Sequence, residues 1–357
     1  MIRSLDWYIA KEVIKGSLVA ILVLLALLTF FSFADELGDV GKGDYGIRQI
    51  FKYLGLTLPR NFYELLPPAA LVGSLVTLGA LANNRELVAM QAAGISRARI
   101  IAAVLLGGLF LLTLSVTVGE LIAPPSERAA QNLKSIAQSK QVTSRSRYGF
   151  WVRDGDIFIN IRVMNKPKSL GDISIYDVNP QKRLTQATHA DQAVHDGIHW
   201  NLKGIRTSLF PEGQVTTNSK EEADWSSVLA PELLNAFVIR PENLSVMELY
   251  HYTQYLRENA QQSMLVEQAF WGRLVNPFVT LVMLMVAVPF VLTVRREVGT
   301  GQRIVAGAVI GLGFHLFDKM FGHLGLIYDL NPLFSVSFPA LLALTVVMAV
   351  LWRMRTA

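Results

Sequence analysis

Six apolar segments govern what this chain can become: residues 16–34, 62–82, 98–122, 270–294, 304–327 and 333–352. Each approaches or exceeds the ~20 residues needed to cross a hydrocarbon core as a helix. They fall as three, then a polar stretch over residues 128–268, then three more. The sequence therefore predicts six transmembrane helices with one sizeable water-exposed insertion. At 52% hydrophobic, 17% charged and a mean hydropathy of +0.36, the chain is too apolar for an ordinary soluble domain and too polar for a wholly buried bundle. Without cysteine it has no disulfide, thiolate metal site or cysteine nucleophile.

The short-loop cations set the orientation. Arg3, Lys11 and Lys15 flank the first segment, Arg85, Arg97 and Arg99 follow the second, Arg295, Arg296 and Arg303 follow the fourth, and Arg353 and Arg355 close the chain. All fall on one side. The other side carries Asp35, Glu36, Asp39 and Asp44, then Asp318, Lys319 and Asp329. Both termini are expected in the cytoplasm and residues 128–268 in the periplasm. These flanking cations account for much of the net charge of +5, so no nucleic-acid partner is expected. Ser32-Phe33-Ala34 resembles a signal-peptide cleavage site, but the apolar run before it exceeds the ~7–15 residues of a typical signal core. An uncleaved first span is the better reading.

Within residues 128–268 the period changes. Trp151, Ile157, Ile159, Ile161 and Val163 lie on alternating positions, as do Ile173 and Ile175, which is a strand pattern. Asp154-Gly155, Asn179-Pro180, Asp196-Gly197 and Glu212-Gly213 supply turns at the spacing of an antiparallel sandwich or jelly roll. Ser245 with Glu248 is a capping box opening a helix whose face is predicted to be Val246, Leu249, Tyr250, Thr253 and Leu256. The expected domains are residues 1–127 (helices 1–3), 128–268 (all-β with a closing helix) and 269–357 (helices 4–6).

The stretch NNRELVAMQAAGISRAR at residues 83–99 is longer than a turn between two spans requires. Asn83 followed by Glu86 reads as an N-terminal cap, Gly94 as a stop and Ser96 as the cap of the third span. A short helix over residues 83–94 is expected at the cytoplasmic surface. One reading makes it a lipid-surface helix with Glu86 as a solvated cap. The other makes it a docking element for a cytoplasmic partner, with Leu87 and Met90 as apolar anchors and Arg85 and Glu86 as its charges.

These residues carry a resemblance. RELVAMQAAGISR is similar to the coupling helix of the lipopolysaccharide-export permeases, the LptF/LptG family. So are ADELGDVGKGDY after span one, LLPPAALVGSLVTLGALA in span two, VGELIAP ending span three, GDISIYDVN in the polar region and FHLFDKMFGHLGLIYDLNP near the end of span five. DELGDVGKGDY resembles the LptG branch more than the LptF branch. The resemblance implies a helical membrane protein whose periplasmic β-jellyroll is inserted between helices 3 and 4. It also implies pairing with an LptF-type permease and an LptB-type ATPase dimer, and extraction of lipopolysaccharide from the inner membrane toward an LptC-type bridge protein. The glutamate at position 86 is then the ATPase contact. An LptF-type role and a non-transporting scaffold are the rival readings.

No nucleotide site of its own is legible. GDVGKGD at 38–44 has only the outline of a P-loop, since Lys42 is followed by Gly43 rather than Ser or Thr. His195 and His199 are separated by a turn signal rather than by a helix, and His315 with Asp318 lacks a nucleophile, so neither a metal site nor a hydrolase is expected. No cofactor is implied. Lipid phosphates would seek Lys42, Arg48, Lys52 and Lys319 near the outer boundary, although cations there are also common as snorkelling anchors. The family carries further lysines around the end of span one, where this sequence has Ser32, Gly38 and Asp39. Phe30, Phe31, Phe314 and Phe317 are candidate acyl-chain contacts or helix-packing residues. Asp318 with Lys319 forms either a polar cap or part of a lipid exit.

Overall fold

The computed structural model describes residues 4–138, 150–166, 169–196, 199–211, 215–225, 240–293 and 299–356. Arg3, Gly197, Glu212, Gly213, Arg295 and Arg296 lie outside them. The chain divides into two compact units: residues 1–38, 54–127 and 264–357 form the first, and residues 39–53 and 128–263 the second.

The helices are α1 (Ser4–Leu37), α2 (Ile47–Asn83), α3 (Glu86–Ala92), α4 (Arg97–Thr117), α5 (Ala123–Ala137), α6 (Val246–Glu258), α7 (Met264–Thr293), α8 (Thr300–Ile327) and α9 (Pro332–Thr356). A π-helical turn, Val118–Ile122, joins α4 to α5. Among the described residues six helices are long and apolar enough to cross a membrane, as expected. They extend well past the apolar runs. The first continues through Ser32-Phe33-Ala34 to Leu37.

The core of the helical unit is built mainly from α2, α4 and α7. Leu66, Leu71 and Leu75 meet Val104, Leu111, Met283 and Leu284, with Ile9 and Val13 of α1 against them. In the most apolar part of α2, 61% of residues are buried, against 11% in both α1 and α8. The last two therefore present open apolar faces, such as Leu22, Val23 and Leu27 on α1 and Val305, Val309 and Leu312 on α8.

Lipid tails are as apolar as leucine, so helices associate in a bilayer through close packing, which small residues permit. At the crossing of α1 and α2, a Cβ on Gly73 would collide with the carbonyl oxygen of Gly16. A Cβ on Gly107 of α4 would lie 2.9 Å from the carbonyl of Ala10. Both obstacles are backbone, which cannot swing aside.

The second unit carries one antiparallel sheet: β1 (Phe150–Asp154), β2 (Ile157–Lys166), β3 (Ser169–Val178), β4 (Leu184–His195), β5 (Trp200–Leu209) and β6 (Thr216–Trp225). Its order is β1-β2-β3-β4-β5-β6, every neighbour antiparallel. The described strands thus pair in chain order, in the antiparallel sheet expected between the third and fourth spans. Short connections are the reason: with only Gly155 and Asp156 between β1 and β2, consecutive strands have no room to pair with anything but each other.

Ile159, Ile161, Ile173 and Ile175 are buried, as their alternation predicts. Left-handed backbone at Asp172 (φ 49°) and Gly204 (φ 67°) interrupts the pattern, so inward positions run Leu170 then Ile173, and Leu202 then Ile205. The capping box of Ser245 and Glu248 is present, and Glu248 also pairs with Arg128. The inward face of α6 is Leu249, Tyr255 and Leu256, while Tyr250 is 53% exposed. Tyr255 displaces it because its hydroxyl donates to the carbonyl of Arg153 at 2.5 Å, tying the helix to β1. Burial pushes that hydroxyl's pKa up to about 12, keeping it a neutral donor.

The segment before α2 is fastened to α5 by a cluster around Asp39. Its carboxylate accepts from Lys42, from Lys134 at 2.9 Å and from Gln138 at 3.1 Å, and the Lys134 ammonium also faces the rings of Tyr45 and Tyr53 at 5.7 and 5.1 Å. Hydrogen bonds from Lys42 and Lys134 hold the Asp39 carboxyl well below the usual carboxylate range.

Gly73→Ala should destabilise the helical unit by about 1–3 kcal/mol, the usual cost of overpacking. Gly272→Ala, whose Cβ would meet nothing within 4 Å, should be neutral or slightly stabilising. Thermal unfolding in detergent checks both. The Asp39 cluster predicts a pH dependence. A depressed folded pKa gives stabilisation that is complete above the unfolded value of about 3.9 and fades as pH falls below it. Asp39→Asn should therefore speed hydrogen exchange of residues 39–53 at pH 7, and its difference from the parent should shrink below about pH 3.9.

Candidate functional site

A helix as short as α3, with 7 residues, has no stability of its own and forms only where neighbours hold it. Its N-terminus departs from the sequence expectation. Arg85 takes a left-handed conformation (φ 62°, ψ 10°) and no side chain caps the helix. Asn83 is instead the last residue of α2, and its side-chain oxygen accepts from Arg303 Nη2 of α8 at 2.9 Å. That leaves Glu86 as the first helical residue, where its Oε2 accepts from the hydroxyl of Tyr8 on α1 at 2.9 Å.

The C-terminus follows the expected signals. Gly94 has φ 86°, its N–H donates to the carbonyl of Gln91 at 3.0 Å, and that of Ile95 donates to Met90 at 3.1 Å. These two bonds make a Schellman motif. Ser96 then caps α4, accepting from the N–H of Arg99 at 3.3 Å. The Arg99 guanidinium forks onto both oxygens of Asp6 at 2.9 Å each, so α4 is also fixed to the start of α1.

Leu87 is 4% exposed and belongs to the helical core, with Met90 packed half-buried beside it. The expectation of Leu87 as an anchor for a partner is thus corrected: it fastens α3 to its own bundle. Arg85, Val88, Ala89 and Ala92 form the outward face, with Glu86 half-buried at its edge. Arg303, read from the sequence as a loop cation, is buried, and its guanidinium fills the space left by Gly79. The α3 end of the helical unit thus joins α1, α2, α4 and α8 through named polar contacts.

The candidate lipid contacts separate into groups. Lys42 is held by Asp39, whereas Arg48 and Lys52 are exposed on the first turns of α2 beside exposed Ile47 and Phe51. Phe30 and Phe31 stand exposed on α1, edge to face at 5.8 Å. Phe314 and Phe317 are half-buried and line a cavity of about 640 Å³ bounded by α7, α8 and α9. Asp318 is half-buried, Lys319 is exposed, and they form no ion pair, because consecutive helical positions do not face each other.

One polar cluster is absent from the sequence reading. Arg273 of α7, its side chain 7% exposed, donates to Glu120 Oε1 at 2.9 Å and to the carbonyl of Gly119 at 2.6 Å, and lies over the ring of Tyr63 at 5.4 Å. The Tyr63 hydroxyl returns a bond to the carbonyl of Arg273 at 3.0 Å. The π-turn supplies Gly119 and Glu120, and Gly119 lets the Tyr63 ring close against the backbone. An arginine and a glutamate at the edges of two apolar segments were the available signal.

The family model of the lipopolysaccharide export system permeases LptF/LptG matches residues 7–353. The chain is 33% identical to the lipopolysaccharide export system permease protein LptG of Haemophilus influenzae over 357 residues, covering 99% of this chain and 100% of that protein. It is 31% identical to the LptG of Escherichia coli K12 over 339 residues, 94% of each. The match to the LptF of the same strain covers only 29% of this chain and 28% of that protein, at 29% identity. A family match running almost end to end, with LptG relatives aligned over nearly their whole length, means that this multi-pass membrane protein belongs to the LptF/LptG family of lipopolysaccharide export permeases.

Proposed function

We propose that the chain is an LptG-type permease half of the inner-membrane complex that extracts lipopolysaccharide, pairing with an LptF-type permease. In this reading an LptB-type ATPase dimer drives it through α3, and the lipid leaves toward an LptC-type bridge protein. The termini and α3 then lie in the cytoplasm, and the sheet with α6 in the periplasm. The observation that carries the reading is the clamping of the α2–α3 junction by Tyr8 of α1 and Arg303 of α8. A push on α3 is passed to two helices whose apolar faces are open. The limited match to LptF favours the LptG role over its partner's.

Energetics call for a separate motor. Exposing acyl chains to water costs about 0.8 kcal/mol per methylene, hence tens of kcal/mol for a multi-acyl lipid. The lipid must stay sheltered, and work must enter from an ATPase. On α3 the docking surface is Glu86 and Arg85 with Val88 and the edge of Met90, while Leu87 serves from within. For lipid phosphates the geometry favours Arg48 and Lys52, which combine exposed charge with exposed apolar neighbours, over Lys42, which Asp39 already engages. Phe30, Phe31 and Lys319 remain candidates on the open faces of α1 and α8, and half-buried Asp318 is better read as a polar edge than as a phosphate contact.

Glu86→Ala removes a charged hydrogen-bonding group worth about 1.5–3 kcal/mol, so ATPase association should weaken roughly tenfold to a hundredfold and export should fall with it. The variant should keep the parent's helical circular dichroism. Unchanged export with unchanged ATPase association would refute the docking role. Reversing Arg48 and Lys52 to Glu should depress photocrosslinking to lipopolysaccharide and lipid-stimulated ATP hydrolysis in the assembled complex. Parent-like values in both assays would remove these two residues from the lipid path.

A further inference from the structure

The cavity bounded by α7, α8 and α9 is lined by apolar side chains alone, among them Met283 and Phe290 of α7, Phe314 and Phe317 of α8, and Leu342 and Val346 of α9. Phe290, Leu342 and Val346 are 40%, 43% and 57% exposed, so it opens to the outside and is not sealed. All three helices are long and apolar enough to span a membrane, and a bilayer around them would put hydrocarbon at its mouth. Its 640 Å³ sits in the middle of the ~300–1,000 Å³ range of ligand pockets. We propose that this cavity is a binding site for a single hydrocarbon chain of a bilayer phospholipid, separate from the path of the exported lipid.

Polarity selects the occupant, and a partner's helix lying along the mouth is the alternative that the crosslinking below distinguishes. Without a polar group in the wall, neither a headgroup nor water is held there, and an apolar void of this kind takes only apolar matter. What fits is a tail whose headgroup stays outside. The backbone makes the room. A Cβ on Gly313 of α8 would meet nothing within 4 Å, and Pro289 and Pro339 stand in the wall where α7 and α9 lose a backbone donor. Because a tail leaves one apolar medium for another, binding rests on packing and the chain exchanges freely with the bilayer. The site rests on the membrane location of these helices and not on the export cycle.

The test uses the full chain in its assembled complex in lipid nanodiscs, with a phosphatidylethanolamine carrying a diazirine in one acyl chain. Irradiation should label peptides of α8 and α9 around Gly313 and Val346, equally with and without ATP. Gly313→Phe and, separately, Val346→Phe should each reduce that labelling by about tenfold. A parallel arm uses lipopolysaccharide bearing the same diazirine. Labelling of these peptides by lipopolysaccharide in an ATP-dependent way would assign the cavity to the export path and overturn the proposal. So would crosslinks from the cavity to another protein, the absence of phospholipid labelling in the parent, or unchanged labelling in both variants. Loss of ATP-driven export with the phospholipid labelling intact would instead count against the transport reading alone.

Discussion

Inside hydrocarbon a backbone amide has no water to turn to, and this constraint shapes the helical unit. Each span satisfies itself as a helix, and helices approach as closely as their side chains allow. Gly16 against Gly73 and Gly107 against Ala10 bring backbones nearly into contact, so α1 is held by geometry more than by its own apolar bulk. Departures from regular helix find local answers. The π-turn at Val118–Ile122 frees the carbonyl of Gly119, and Arg273 takes it together with Glu120. A buried ion pair of this sort adds little net stability, since its desolvation offsets its attraction. Its geometry instead sets the rotation of α7 relative to the π-turn and α2.

A division between helices follows. α2 and α7 bury more than half of their most apolar stretch and α4 39% of its own, while α9 buries 22% and α1 and α8 only 11%. An open face on a spanning helix is filled by lipid tails or by another protein. α1 and α8 are also the helices that reach the α2–α3 junction, through Tyr8 and Arg303. Both helices tied to the proposed input thus carry open apolar faces.

Much of this was legible in the sequence because it rests on local rules. Twenty-residue apolar runs, the box of Ser245 and Glu248, the stop at Gly94 and the cap at Ser96 depend on neighbours a few positions away, and the structure contains them. The start of α3 failed because a competitor from far along the chain took the residue: Asn83 answers Arg303, and Arg85 turns left-handed to restart the helix. Leu87 and Val88 are adjacent, and only the bundle decides which one faces in. Arg273 with Glu120 and Tyr63 was invisible for the same reason, since these contacts span 153 and 210 residues. The strands were readable by alternation. Their order was not, because it depends on loop closure and not on period.

The short length of α3 has a mechanical consequence. Seven residues make too few internal bonds to persist alone, so the helix exists because Leu87 is buried, worth about 1.5–3 kcal/mol, and because its ends are tied. A side chain that anchors the helix inward cannot also let it slide over the bundle. Pulling α3 free would cost that burial along with the Tyr8 and Schellman contacts, whereas tilting it together with α1 and the end of α2 costs none of them. A load applied to its outer face is therefore carried by displacement of the attached helices and not by local unfolding.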